Sequence, residues 1–417
     1  MKNLILFLFL VSSSLTNGQT LVAGKPSENG MSSERLARID LLVNEYVTKK
    51  WTPGAVVLIA RNGKIVFHKA YGFSDAEKAT LLKKDDIFRI ASQSKAVTSL
   101  AVLMLHEEGK FGLDEPISNY LPEFKNQRVI ANFNWTDSSY TTQPAKGEVT
   151  IRQLLTHTSG IDYAAIGSQE FKALYRKQGI PSGIGNHEGL LADKMKKLGS
   201  LPLKHQPGEA YTYGLNIDLL GYLVEVLSGM PLDQFLRTRI FQPLGMNDTY
   251  FFQPKEKQAR VVGLYQVKNG VVEKVTTAVY DNVRPEYPTL AGTYFSGGAG
   301  LSSTVEDYAK FLQLFLNKGE YNGVRIVSRK TVELMLTPQI QPPLTNQFGF
   351  GFSLETDKND YTTISSMGTF SGGGAYSTQG WADPKEKLVG LIFTNIYSNP
   401  YRLNDRFKVL TYQAIID

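Results

Sequence analysis

Residues 88–123 read FRIASQSKAVTSLAVLMLHEEGKFGLDEPISNYLPE. From Ser92 to Glu108 the apolar residues recur at helical spacing, which predicts a helix that ends at Gly109. The four residues before Ser92 are typical of a strand or turn, so Ser92 should lie at the start of this helix. Lys95 follows three residues later and therefore shares the face of Ser92, one turn along the helix.

Ser92 and Lys95 form the one Ser-x-x-Lys motif in the chain, and its position suits a nucleophile. Backbone N–H groups and the positive end of the helix dipole would stabilise an oxyanion formed beside Ser92. Lys95, if partly removed from water, would have a pKa low enough to accept the serine proton. The motif alone also fits a plain N-cap serine followed by a solvated lysine, because a chain rich in both residues contains about one such match by chance.

The composition excludes several classes of protein. The chain has 417 residues, with 45 Lys and Arg, 39 Asp and Glu, 42% hydrophobic residues and no cysteine. These values are typical of a globular protein and exclude disordered, collagenous and polytopic membrane classes. Without cysteine there can be no disulfide, thiolate zinc site, iron–sulfur cluster or cysteine nucleophile. The positive charge is spread without a long basic run, so we do not expect nucleic acid as a partner.

Residues 1–18 are typical of a secretory signal peptide. Lys2 supplies the positive start, residues 4–11 are apolar, and small and polar residues lead to a cleavage site near Gly18. A membrane anchor would need about 20 apolar residues, and this run is much shorter. We therefore expect a secreted or periplasmic protein with no stable membrane anchor.

Outside the first helix, the sequence predicts a mixed α+β architecture. The predicted elements are a β-hairpin over 55–60 and 65–72 around an Asn-Gly turn, helices at 217–227, 305–317 and 402–416, and strands at 348–354 and 387–395. Strands near both ends, with helices between them, predict one antiparallel sheet and an inserted, mostly helical lobe. We assign the α/β lobe to about 35–115 and 295–417 and the helical lobe to about 116–294, within one domain over 19–417.

The stretch 88–123 resembles the active-serine helix of the serine β-lactamase-related family. That family includes class C β-lactamases, D-Ala-D-Ala carboxypeptidases and β-lactamase-like carboxylesterases. The further blocks that agree in the same order are Pro53-Gly54-Ala55, LLTHTSG at 154–160, Pro207-Gly208 before Tyr213, GGAGLSST at 297–304 and GTFSGGGAYSTQGWADP at 368–384. The resemblance spans about residues 50–395. It implies a β-lactamase/penicillin-binding-protein-like fold, in which N- and C-terminal helices flank the sheet.

The family has a second catalytic element, a tyrosine that usually lies within Tyr-x-Asn and shares the base role. Tyr213 matches this tyrosine, and Tyr211 is the competing candidate. The asparagine, which binds the side-chain amide of β-lactam or peptide substrates, is replaced by Leu215, with Asn216 one place late. This replacement resembles the carboxylesterase branch. From the residues alone, Tyr213 also fits a core aromatic before a buried helix.

The third element of the family is Lys/His-Thr-Gly on a strand that completes the oxyanion hole. Here the sequence is Gly372-Gly373-Gly374-Ala375, similar to the Trp-Gly-Gly variant of the esterases, which implies that Gly373, Gly374 and Ala375 form the oxyanion and substrate-binding strand. A frame shifted by two residues, and a β-bulge with no catalytic part, stay open. Neither frame offers a lysine or histidine for a substrate carboxylate. The resemblance gives His157, in LLTHTSG, a structural role.

The sequence thus predicts an exported serine hydrolase that uses Ser92, Lys95 and Tyr213, and no cofactor or metal is implied. Small-molecule esters are the favoured substrates. One alternative is a D-Ala-D-Ala carboxypeptidase or weak β-lactamase acting on amides or cell-wall peptides. Another is a non-catalytic relative that binds cell-wall peptides. The oligomeric state cannot be predicted.

Overall fold

One large sheet, built from both ends of the chain, organises the fold. The computed structural model describes residues 20–280 and 283–417. The sheet contains β1 Val22–Ala23, β2 Gly54–Arg61, β3 Lys64–Asp75, β4 Thr80–Leu81, β5 Ser353–Leu354, β6 Phe370–Gly374, β7 Thr378–Asp383 and β8 Leu388–Phe393. Their order is β1-β3-β2-β8-β7-β6-β5, with β4 paired to β3, and only the short β1 runs parallel to its neighbour. The predicted sheet from both termini is confirmed.

The central strand β2 separates two hydrophobic cores. All eight of its residues are buried, and the alternation of a strand sends successive side chains to opposite faces. Val57 and its like-facing neighbours pack against the terminal helices Ser33–Thr48 and Leu403–Tyr412. Leu58 and its like-facing neighbours join the larger core on the other face. The predicted flanking of the sheet by N- and C-terminal helices is therefore confirmed.

The larger core contains the helix Ser94–Glu107, called here the serine helix, and most of the other helices. These are Ile151–Leu155, Gln169–Lys177, Leu191–Gly199, Asn216–Ser228, Leu232–Leu236, Gln242–Leu244, Val305–Leu316 and Arg329–Met335. Smaller strand pairs are Phe88–Arg89 with Ser302–Ser303, Arg128–Phe133 with Tyr140–Pro144, Tyr265–Lys268 with Val271–Lys274 and Ile396–Tyr397, and Glu320–Tyr321 with Val324–Arg325. The inserted region is thus mainly helical but also carries two hairpins.

The predicted strand at 348–354 is wrong. Only Ser353–Leu354 is a strand, and the residues before it form a tight turn in which Gly349 N–H donates to the Phe352 carbonyl. Gly351 has a positive φ of 87° and lies so close to the serine helix that a Cβ would be 2.7 Å from the Cα of Ala96. The alternating phenylalanines and glycines therefore serve a turn that packs against a helix, not an extended strand.

The other predicted elements are confirmed to within a few residues, whereas the lobe boundaries stay a prediction. The predicted signal peptide at 1–18 lies outside the described residues. Within the described part of the chain, none of the helices combines the length and the apolar character that crossing a membrane requires.

Candidate active site

Ser92 lies on a short 3₁₀ turn, Ala91–Gln93, that leads directly into the serine helix. The segment around residue 301 holds this turn in place. Ile90 N–H donates to the Leu301 carbonyl at 3.1 Å, and Leu301 N–H donates to the Ser94 hydroxyl at 3.1 Å. The Ser92 side chain caps no helix and is only partly buried, so its hydroxyl stays available.

Lys95 is buried beside Ser92. Its side chain is 4% exposed, which excludes the solvated lysine that the motif alone allowed. Nζ lies 3.5 Å from the Ser92 hydroxyl, 3.0 Å from the Tyr163 hydroxyl and 2.8 Å from the Gly298 carbonyl oxygen. A lysine with three acceptors and almost no water is placed to exchange a proton with Ser92.

Tyr213 approaches the same ammonium group from a loop. The Lys95 Nζ lies over its ring, 4.4 Å from the centroid, which is a cation–π contact. Backbone hydrogen bonds fix this loop, because Gly208 N–H donates to the Thr158 carbonyl at 2.8 Å and Thr212 N–H donates to the His157 carbonyl at 2.7 Å. The structure therefore brings together the three residues predicted for catalysis.

His157 supports the tyrosine loop and is fully buried. Its Nδ1 accepts hydrogen bonds from the Asn216 side chain at 3.0 Å and from Gly214 N–H at 3.4 Å, and its ring packs 4.7 Å from that of Tyr213. Burial, and then the charge of Lys95, hold the pKa of His157 well below its ordinary value. Because Nδ1 is already occupied and the ring is kept neutral, these contacts fit the structural role that the sequence predicted.

Two contacts of Lys95 involve groups that the sequence analysis did not connect with the site. Tyr163 is fully buried, and burial followed by the nearby Tyr213 raises its pKa well above the ordinary value, so it remains a hydroxyl. Gly298 belongs to the glycine-rich run at 297–300, where a Cβ on Gly297 would lie 2.8 Å from the Ile217 carbonyl oxygen. Glycines in this run allow its backbone to approach the neighbouring helix closely. The glycine run was the only feature of the sequence that could have pointed to this contact.

The predicted oxyanion strand runs beside the Ser92 turn. Residues 370–374 form β6 and pair regularly with β7, without a bulge, so the β-bulge reading is wrong. A Cβ on Gly374 would lie 2.3 Å from the carbonyl oxygen of Ile90, two residues before Ser92. This contact favours the frame Gly372-Gly373-Gly374-Ala375, and Ala375 follows directly after the contact. Only a glycine permits such an approach.

A cleft of about 450 Å³ opens above these groups. Ser92, Lys95, Tyr213, Gly372 and Gly373 lie in its wall. The wall also contains Tyr211, the competing tyrosine, and the uncharged polar residues Thr345, Asn346, Gln347, Ser353, Asn359 and Ser371. Among the described residues that line the cleft, Lys95 is the only charged one.

Neither Leu215 nor Asn216 presents a side chain to the cleft. Leu215 is 0% exposed, and a Cβ on Gly183 would lie 2.3 Å from its Cδ2. Asn216 is also fully buried and bonds to His157 and Ser159. The amide-binding function that the family's asparagine serves thus has no side chain here at either position.

Leu215→Asn is expected to destabilise the protein without creating an amide-binding site. The new amide would be buried among apolar neighbours, and an unsatisfied buried polar group together with the lost packing costs about 2–4 kcal/mol. Urea unfolding would measure the loss, with penicillin hydrolysis assayed on the folded variant. A gain of penicillin hydrolysis at unchanged stability would contradict this assignment of Leu215.

A Ser-x-x-Lys pair with a buried lysine, faced by a tyrosine on one side and by a sheet strand on the other, defines a class of serine hydrolase. Comparison with known proteins identifies the family. The Beta-lactamase family model matches residues 39–413, and the chain belongs to this family. It is a serine hydrolase of that family, with the β-lactamase/penicillin-binding-protein-like fold.

Relatives within the family differ in their activities. The chain is 29% identical to Esterase EstB of Burkholderia gladioli over 86% of this chain and 90% of the relative. It is 26% identical to a putative D-alanyl-D-alanine carboxypeptidase of Escherichia coli strain K12, over 96% and 92% respectively. The solved structure of EstCE1, a hydrolase with promiscuous acyltransferase activity, superposes with a TM-score of 0.78 at 26% identity, covering 91% of this chain and 99% of EstCE1.

Within residues 20–280 and 283–417, no group of three or more His, Cys, Asp or Glu side chains is arranged to hold a metal ion.

Proposed function

We propose that the protein is a carboxylesterase that acts on small neutral esters through an acyl-enzyme on Ser92. The Ser92 oxygen attacks the ester carbonyl while Lys95 and Tyr213 take its proton. The bond to the leaving alcohol then breaks, and the alcohol receives that proton. Water, deprotonated by the same groups, attacks the acyl carbon. The bond to the Ser92 oxygen then breaks, this oxygen takes the proton back, and the acid is released. The N–H groups of Ser92 and of Ala375 or its neighbour would hold the oxyanion.

The preference for neutral esters rests on the lack of a free charged side chain among the described residues that line the cleft. A penicillin or a peptide C-terminus brings a carboxylate, which needs a cationic partner when it leaves water. Lys95 is already engaged by Gly298 and Tyr163, and the other described residues that line the cleft are neutral. The buried Leu215 removes the amide contact as well. A neutral ester needs neither partner.

The two alternatives differ in what Ser92 does. A carboxypeptidase or weak β-lactamase would acylate Ser92 with a peptide or penicillin, and one relative carries the carboxypeptidase description. A non-catalytic relative would bind cell-wall peptides and leave Ser92 unmodified. The burial of Lys95 against Ser92 favours a working catalyst over a binding protein, because burying a lysine is costly unless its chemistry is used.

A substrate panel tests the proposal. The protein should hydrolyse p-nitrophenyl butyrate at least about 100-fold faster, in kcat/KM, than benzylpenicillin or a D-Ala-D-Ala peptide, because an unpaired carboxylate costs several kcal/mol. Gly372→Lys is the matched variant, since a Cβ at this position has no neighbour within 4 Å. The added cation should improve reaction with penicillin about tenfold relative to the ester. Faster turnover of penicillin or peptide by the unmodified protein would favour the first alternative.

Export is a further part of the proposal, and it rests on residues 1–18 alone. The mature chain should begin near Gln19, and the N-terminal peptide of protein recovered from its native host would show this by mass spectrometry.

A further inference from the structure

Asp218 is a fully buried carboxylate that takes no part in the catalytic steps proposed above. It lies on the helix Asn216–Ser228, five residues after Tyr213, and it is 0% exposed. The Tyr294 hydroxyl donates to its Oδ1 at 3.4 Å, a long hydrogen bond. Its Oδ2 has no hydrogen bond of ordinary geometry. The Ser296 hydroxyl and the Gly298 amide also favour the ionised carboxylate. Even with these contacts, burying a carboxylate is costly.

The Asp218 carboxylate and the Lys95 ammonium lie on either side of Gly298. A Cβ on Gly298 would lie 2.5 Å from Asp218 Oδ2 and 3.3 Å from the Tyr163 hydroxyl. The Gly298 carbonyl and the Tyr163 hydroxyl are the two closest acceptors of the Lys95 ammonium, at 2.8 Å and 3.0 Å. Asp218 therefore lies directly behind the groups that hold Lys95, and it does not line the cleft.

Among the residues that the structure describes, Lys95 is the cation that acts on Asp218. Burial raises the pKa of Asp218 to about 6, opposed by the Ser296 hydroxyl, the positive charge of Lys95, Tyr294 and the Gly298 amide. The titratable groups that face Asp218 are Lys95 on the serine helix, Tyr163 on the loop after His157, and Tyr294 on the loop before the strand Ser302–Ser303. Both tyrosines have raised pKa values and stay neutral. Lys95 is thus the counter-charge that is left.

We propose that Asp218 is a positioning residue, whose carboxylate serves as the counter-charge that holds the Lys95 ammonium against the Gly298 carbonyl and within reach of Ser92. The inference rests on the proposed function and deepens it by adding a group behind the catalytic lysine. Because opposite charges attract strongly away from water, loss of the carboxylate would weaken the hold on the Lys95 ammonium and let it leave its position beside Ser92.

Removing the Asp218 carboxylate should lower the activity without lowering the thermal stability. A carboxylate whose pKa is raised by folding stabilises the folded state only while it is protonated, and this contribution is lost as the pH rises through about 6. Asp218→Asn removes the buried charge with almost no change in volume. At pH 8 the variant should therefore be at least as heat-stable as the parent, although its kcat for p-nitrophenyl butyrate falls about tenfold or more. Its KM should change little, because Asp218 does not line the cleft.

The pH profile is the first test. The parent should lose activity as Asp218 takes up a proton near pH 6, and Asp218→Asn should lack this step. Asp307→Asn is the matched control, because Asp307 is also buried but bonds to Thr249 and Lys310. An Asp218→Asn profile that superimposes on that of the parent would overturn the proposal.

A double-mutant cycle tests the same coupling without turnover, so it distinguishes failure of this inference from failure of the proposed function. Lys95→Met leaves Asp218 charged and unpaired, and the melting temperature at pH 8 should fall. Adding Asp218→Asn should restore part of that loss. Adding Asp307→Asn should not. Strictly additive effects of Lys95→Met and Asp218→Asn would show that the two groups do not interact, even if ester hydrolysis by Ser92 is established.

Discussion

Ser92→Ala is expected to lower kcat for p-nitrophenyl butyrate by about 10⁴-fold or more, because the variant has no oxygen to form the acyl-enzyme. The fold should survive, since the Ser92 side chain caps no helix and, within the described part of the chain, its hydroxyl bonds to Lys95 alone. Steady-state kinetics on the purified variant would measure the loss. Circular dichroism would confirm that the secondary structure is intact.

The control for this prediction is Ser94→Ala. Ser94 lies in the same turn but is 0% exposed, and its hydroxyl accepts from Leu301 N–H at 3.1 Å. Loss of one such hydrogen bond costs about 1 kcal/mol of stability and should leave most of the activity in place. Equal activities of the parent and the Ser92→Ala variant would show that the hydrolysis comes from elsewhere.

Lys95→Met is expected to lower kcat by about 10³-fold, because it removes the amine that exchanges a proton with Ser92 while keeping a side chain of similar length. The Gly298 carbonyl and the Tyr163 hydroxyl would lose their donor. The loss should persist at higher pH, since the variant has no amine beside Ser92 to work with Tyr213. Measuring kcat between pH 6 and pH 10 checks both expectations.

Lys408→Met is the matched control for the lysine. Lys408 is a partly buried lysine on the C-terminal helix, where burial lowers its pKa and Nζ donates to the Ser365 hydroxyl at 2.9 Å. It belongs to the opposite side of the sheet from the serine helix, packed near Trp381. A comparable loss of activity in both lysine variants would point to a general effect of removing a buried charge, not to catalysis by Lys95.

Local patterns account for the parts of the fold that the sequence predicted well. The Asn-Gly turn and the flanking apolar runs specify the hairpin of β2 and β3 within a few residues. The serine helix is specified by its own apolar spacing, and the Ser-x-x-Lys pair lies within one turn of it. The strand predicted at 348–354 is wrong because phenylalanine favours strands, whereas the glycines that permit its turn act through contact with a helix distant in sequence.

The rest of the site depends on contacts that no local pattern carries. Lys95 bonds to Tyr163 across 68 positions of the sequence and to Gly298 across 203. Asp218 meets Gly298 in the same way, from a helix that the sequence predicts only as buried. The family resemblance identifies Tyr213 because this tyrosine belongs to a short local motif. Tyr163, Gly298 and Asp218 share no sequence motif with Lys95. Only the packing of four separate segments brings them together.

Trapping the acyl-enzyme tests the central claim most directly. The protein would be mixed with excess p-nitrophenyl butyrate, quenched in acid within the first turnovers and digested, and the peptides would be mapped by mass spectrometry. We expect one butyryl group, on the peptide that contains Ser92, and none in the Ser92→Ala variant. Hydrolysis without any modified peptide, or a butyryl group on another residue that persists in the Ser92→Ala variant, would contradict the assignment of Ser92 as the nucleophile.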